Sequence, residues 1–149
     1  MVNVKKKIIT KMGDIKNIIK IGSFNFETKK FYIMKLKKIK EILDADVCCG
    51  TINDSHEIMM VCASDLMSDV LTFIKPNALL LTGLTNPQVV RTADVAEVKV
   101  ICFVRGKEPT EETIKLADEK GILLIKTKCS MFEACGRLYE ANMVDCLKT

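Results

Sequence analysis

From Met34 onward the apolar residues switch between two spacings, a helical one near 3.6 residues and short runs that are apolar on both parities. Leu36, Ile39, Ile42 and Leu43 form a helical stripe, and Val47–Cys49 a short strand before a turn at Gly50. The segment from Glu57 to Ala63 reads as one strand covered on both faces. Ser64 or Asp65 is placed to cap the helix that comes next, whose Leu66, Val70 and either Phe73 or Ile74 share a side, and Lys75-Pro76-Asn77 stops it. Ala78–Thr82 is the next strand, and Asn86 or Pro87 starts a helix that runs to about Val95. Val98–Val104 is the most strand-like run in the chain. Pro109, Thr110 and Glu111 then start a helix with Ile114, Leu116 and Ala117 on its buried side, and Gly121 ends it. A strand over Ile122–Ile125 and a helix over Ser130–Glu140, with Phe132, Cys135, Leu138 and Tyr139 near one face, complete the series.

The element order is α-β-β-α-β-α-β-α-β-α. Strands that alternate with helices of this length predict an α/β fold, a single-domain sandwich with a largely parallel sheet flanked by helices.

Composition divides the chain. Residues 1–33 carry eight lysines against Asp14 and Glu27, a net of +6, so the formal +4 of the whole leaves residues 34–149 at −2. The expected organisation is a basic N-terminal extension over 1–33 and an α/β domain over 34–149. Ile8, Met12, Ile15 and Ile19 recur at helical spacing among lysines, which fits an amphipathic helix against a membrane surface or a partner. A lysine-rich lead that ends just before Met34 fits an over-extended start codon better, and a flexible tail is a third reading. The mildly acidic main domain, with few aromatics and no arginine cluster, lacks the basic face that nucleic acid requires. No stretch is long and apolar enough for a membrane helix, and no secretory signal is present, so the expectation is a soluble cytoplasmic protein.

The seven cysteines include no CxxC pair, and His56 is the only histidine, so neither a disulfide framework nor a metal site is expected. Cys62, Cys102, Cys135 and Cys146 lie among apolar neighbours and read as reduced, mostly buried thiols. His56, in the polar segment TINDSHE, reads as an exposed loop residue, too far in sequence from the strand ends to serve as a base for a thiol. Asp65 and Asp69, four apart, read as carboxylates on one solvated helix start.

In an open α/β sheet, ligands sit beyond the carboxyl ends of the strands. The segments CASD, LTGLTN, VRGKE and KTKCS supply Ser64, Asp65, Thr82, Gly83, Thr85, Asn86, Arg105, Gly106, Thr127 and Lys128, a polar rim around one crevice. Helix N-termini there offer N–H groups to an anion, with Arg105 or Lys128 in support. The same residue types also serve as helix caps and turns in any α/β domain. GLTNPQ is not a GxGxxG fingerprint, and Gly106-Lys107 lacks the first glycine of a GxxxxGK[ST] loop, so phosphoryl transfer has no cradle.

The segments SDLMSDVL, VRGKEPTEETI and KTKCSMFEACGRLYE, within a match running from about Met34 to Met143, resemble the stand-alone form of the DRTGG-domain family. The name-giving motif is absent, with TGLTNPQ in the matching strand-to-helix region. The resemblance implies a fold similar to the N-terminal domain of HPr kinase/phosphorylase, and a regulatory or architectural bacterial domain with no catalytic residues and no cofactor. Relatives in this family lie beside CBS modules in nucleotide-regulated pyrophosphatases and in some phosphotransacetylases, and stand-alone copies often occur near iron-hydrogenase and sensor-kinase genes. By resemblance the chain is expected to be a homodimer in metabolic or redox regulation, with a protein partner in signalling or hydrogenase-related metabolism. The alternative is a sensor that binds an adenine nucleotide or other phosphorylated metabolite at the strand-end turns.

Overall fold

All five residues of the strand ALLLT are buried, which a strand achieves only at the centre of a sheet covered on both faces. The computed structural model describes residues 32–146. The readings of residues 1–33 as extension, tail or helix fall, up to residue 31, outside the described residues.

The elements in chain order are β1 (Met34–Lys35), α1 (Leu36–Ile42), β2 (Asp46–Cys49), β3 (Glu57–Ile58), β4 (Met60–Ala63), α2 (Met67–Phe73), β5 (Ala78–Thr82), α3 (Pro87–Val95), β6 (Val100–Phe103), α4 (Glu111–Lys120), β7 (Leu123–Lys126), α5 (Met131–Glu140) and β8 (Val144–Asp145). The main sheet has the order β2-β7-β6-β5-β4-β8. Strands β4 to β7 and β8 pair in parallel, while β2 joins β7 antiparallel at one edge.

Side chains on successive strand positions point to opposite faces, and two cores result from that alternation. Leu80, Ile101, Phe103 and Leu124 pack with Val70 of α2, Val89, Val90 and Ala93 of α3, and Ala117 of α4. Leu79, Leu81, Val100, Cys102, Leu123 and Ile125 pack on the other face with Leu36 and Ile39 of α1 and Ala134 and Leu138 of α5. The result is a three-layer α/β sandwich with a mostly parallel sheet, as the alternation of spacings predicts.

Local chemistry accounts for the helix boundaries. Asn86 Oδ1 accepts from Gln88 N, with Pro87 in the first turn of α3. Thr110 Oγ1 accepts from Thr113 N at the start of α4, and Gly121 ends that helix at φ 64°, a left-handed conformation that glycine adopts without Cβ strain. Ser130 Oγ accepts from Glu133 N at the start of α5.

Four expectations are corrected. The segment Glu57–Ala63 is two strands. The first, β3, pairs with β1 in a separate two-stranded sheet. The second, β4, enters the main sheet after Met59, whose N–H is held by Asn77 O at 3.1 Å. Neither Ser64 nor Asp65 caps α2, because Leu66 stands at its N-cap with no side-chain bond. Leu66 and Phe73 are exposed, and Val70 and Ile74 are the buried residues of that stripe. In α5, Phe132 (90% exposed) and Tyr139 face outward, and Ala134 and Leu138 form the packed face.

Candidate functional site

Because β4, β5, β6 and β7 run parallel, their carboxyl ends share one edge, and the turns after them approach one another. The tightest cluster forms where the turns after β4, β5 and β6 meet. Asp65 turns its carboxylate away from α2 and toward β5. Its Oδ1 accepts from Gly83 N at 2.6 Å and from Thr82 Oγ1 at 3.0 Å. Its Oδ2 accepts from Arg105 Nη2 at 3.3 Å. Thr82 Oγ1 in turn accepts from Leu84 N at 3.2 Å, so both sides of this fully buried hydroxyl are used. Partial burial pushes the Asp65 carboxyl upward, but the hydrogen bonds from Gly83, Thr82 and Arg105 together with the Arg105 charge outweigh it and hold the group below the usual carboxylate range.

Arg105 and Gly106 both have positive φ, 64° and 63°, and Lys107 N donates to Val104 O at 3.3 Å, the pattern of a type I′ turn. Arg105 N donates to Cys129 O and Gly106 N to Thr127 O, each at 2.8 Å, which ties this turn to the one after β7. The Arg105 guanidinium lies over Gly83, where a Cβ would stand 1.7 Å from Nη2. Gly83 is therefore set by close approach, and its N–H is directed at Asp65.

The other candidates lie apart from this cluster. Ser64 Oγ bonds only locally, accepting from Leu66 N at 3.0 Å and donating to Leu66 O at 3.3 Å. Asn86 is the cap of α3, and Thr85 contributes its carbonyl to Thr113 Oγ1 at 2.8 Å, seating α4 beside α3. Thr127 is buried, donating from Oγ1 to Leu43 O at 2.5 Å and accepting from Cys129 N at 3.1 Å, and so fastens the end of α1 to the end of β7. Lys128 is exposed and lines a polar hollow of about 170 Å³ with Asp44, Glu133 and Arg137. Most of the ten residues thus take part in a central bridge, a helix cap, a clamp or a hollow. Asp65 and Asp69 are not paired on a helix start either, since α2 begins only at Met67. His56 is half-buried, with Nδ1 accepting from Asn53 N at 3.1 Å. It precedes the amino end of β4, whereas Asp65 follows the carboxyl end.

A second feature escapes sequence reasoning. A groove of about 430 Å³ lies at the β4–β8 side of the sheet, between α2 and α5, and Cys62, Phe73, Leu138, Tyr139, Met143 and Cys146 are among the residues that line it. Of the ten candidates only Ser64 reaches it, and Asp69 and Asp145 give its polar edge negative charge, which disfavours a phosphate. The groove depends on β8, a two-residue strand too short to show as a hydrophobic run.

All seven cysteines are unbridged thiols. Burial pushes those of Cys48, Cys49, Cys62 and Cys135 up, and those of Cys102 and Cys146 up to about 12, so at neutral pH these six rest protonated and weakly nucleophilic. Among the described residues no group of three or more His, Cys, Asp or Glu side chains is arranged to hold a metal ion. No helix among them is long and apolar enough to cross a membrane.

Comparison with known proteins adds the family. Residues 38–141 match the model of the DRTGG domain. No curated protein matches the chain. Among solved structures, the chain is similar to the CBS and DRTGG domains of the regulatory region of Clostridium perfringens pyrophosphatase, complexed with its activator diadenosine tetraphosphate. The TM-score is 0.62 at 20% identity, over 77% of this chain and 50% of that one. The chain spans half the length of that neighbour, and the likeness is one of fold.

Proposed function

The chain belongs to the DRTGG-domain family, and from that premise we propose that it is a non-catalytic regulatory domain that acts by association, as a homodimer, in bacterial metabolic or redox regulation. The observation that carries this reading is the state of the strand-end cluster. Asp65 already takes up the donors, Gly83 N–H, Thr82 Oγ1 and Arg105, that would otherwise be open to an anionic substrate. A carboxylate locked in this way holds three turns together and leaves no base and no activated nucleophile beside it. Association is supported by large apolar side chains that the described fold leaves uncovered: Leu66, Leu71, Val95 and Phe132. The partner class that fits this reading is a second copy, or a protein in signalling or hydrogenase-related metabolism. Static light scattering tests it, with a dimer expected and a strict monomer at high micromolar concentration counting against it.

A second reading, a sensor of an adenine nucleotide or other phosphorylated metabolite, is favoured by the neighbour's complex with diadenosine tetraphosphate. On this reading the ligand sits among the turns that carry Ser64, Asp65, Thr82, Gly83, Thr85, Asn86, Arg105, Gly106, Thr127 and Lys128. A phosphate at Arg105 would compete with Asp65 for Nη2 of the guanidinium. Thermal unfolding with ATP and with diadenosine tetraphosphate tests it, since a ligand of the native state must raise the midpoint. No rise at millimolar nucleotide removes this reading and leaves the first intact.

A further inference from the structure

The parallel register of β4 and β8 pairs Met60 with Val144 and Val61 with Asp145. Just beyond the last of these pairs come Cys62, still within β4, and Cys146, the residue that follows β8. Both cysteines fall in the core cluster that contains Met60 and Val144, so they lie on the same face of the sheet. Neighbouring strands lie about 4.8 Å apart, inside the roughly 4.4–6.8 Å Cα separation that a disulfide spans. Each thiol acts on the proton affinity of the other, as neighbouring groups do. Both line the groove of about 430 Å³, so a small oxidant has a route to them although each is buried.

We propose that Cys62 and Cys146 form a reversible redox pair, a dithiol that a peroxide converts to a disulfide, clamping β8 onto the edge of the main sheet. Cys62 Sγ attacks a peroxide oxygen: the S–O bond forms, the O–O bond breaks, and the first water leaves with the thiol proton. Cys146 Sγ then attacks Cys62 Sγ, forming the S–S bond as the S–O bond breaks. Its proton leaves with the hydroxide as the second water. The two sulfurs lose two electrons, the peroxide gains them, and a dithiol reductant reverses the change. Because burial holds both thiols protonated, the dithiol is the resting form, and oxidation requires a sustained excess of peroxide. Two other strand cysteines have no cysteine opposite them: Cys102 stands opposite Ile125 in its ladder, and Cys49 opposite Leu124.

The test is treatment of the full-length reduced protein with hydrogen peroxide, folded and in 8 M urea, followed by alkylation, tryptic digestion and mass spectrometry. Folded protein should lose two thiols and yield one link between the tryptic peptides 41–91, uncut at Lys75-Pro76, and 138–148, removed by dithiothreitol. Since peptide 41–91 also carries Cys48 and Cys49, the link must vanish in C62S and persist in a C48S/C49S double variant. Folded C146S should form no such link and should instead hold Cys62 as a sulfenic acid, trapped by dimedone, under the same treatment. Recovery of Cys62 and Cys146 as separate thiols while other cysteines oxidise would overturn the proposal. So would a link that forms equally fast in urea, because the folded register would then play no part.

Discussion

Removing the Asp65 carboxylate puts the strand-end cluster to its sharpest test. In Asp65→Ala, the Gly83 N–H loses its 2.6 Å acceptor and the buried Thr82 hydroxyl loses its 3.0 Å one. An unsatisfied buried polar group costs about 1–3 kcal/mol, and entry of water into the vacated space brings the two together to about 2 kcal/mol. The Arg105 pair adds little. Its side chains are 42% and 45% exposed, and such pairs contribute about 0–1 kcal/mol. The expected loss is therefore about 2–3 kcal/mol for Asp65→Ala. Asp65→Asn keeps an oxygen for Gly83 and Thr82, and its loss should be about 1 kcal/mol. With a urea slope of about 1–3 kcal/mol/M for a domain of this size, the alanine variant should unfold about 1–2 M earlier than wild type, and the asparagine variant in between. The pH dependence carries its own sign. The folded-state carboxyl lies below its unfolded value of about 3.9, so its stabilisation is present above that pH and disappears as pH falls through the folded value. The gap between wild type and Asp65→Asn should narrow below about pH 4. Equal midpoints for wild type and Asp65→Ala at pH 7, or a gap unchanged at pH 2.5, would refute the bridging role.

Three further substitutions probe other contacts. Gly83→Ala should displace the Arg105 guanidinium, because the new Cβ would fall 1.7 Å from Nη2, and should cost about 1 kcal/mol or less; in an Arg105→Ala background that cost should fall away, and equal cost in both backgrounds would show that Arg105 is not what the glycine accommodates. Leu80→Ala, at a fully buried position of the central strand, should lose about 2–5 kcal/mol by chemical denaturation, and a loss under about 1 kcal/mol would contradict the packing of β5 beneath α3. Thr127→Val leaves the Leu43 carbonyl without its 2.5 Å donor and should destabilise by about 1–2 kcal/mol without changing any nucleotide response, whereas a lost response with full stability would reassign Thr127 from clamp to ligand.

How far the fold is legible in the sequence depends on how local its causes are. The apolar run ALLLT identifies a central strand because burial on both faces removes any polar alternation. Thr110 and Gly121 mark α4 because their bonds lie within a turn of themselves. The division of Glu57–Ala63 is invisible by the same logic, since it depends on β1 and on Asn77, both distant along the chain. Asp65 shows the limit most clearly. A short acidic residue just before a helix reads as its cap. The carboxylate instead turns to Gly83 and Arg105, 18 and 40 residues away, and only the parallel order of β4, β5 and β6 brings them together. Thr127 likewise reads as a turn residue, yet its partner Leu43 is 84 residues distant. Phe132 and Tyr139 mislead in another way: apolar spacing fits a buried face, but the smaller Ala134 is what lets α5 approach the sheet.

The central claim, a regulatory domain that works by association, meets its most direct test in sedimentation velocity of the full chain from about 1 to 200 μM at near-physiological salt. The expected result is a single species with twice the 16.7 kDa mass of one chain, held across the upper part of that range. A species that stays at 16.7 kDa at every concentration would contradict it.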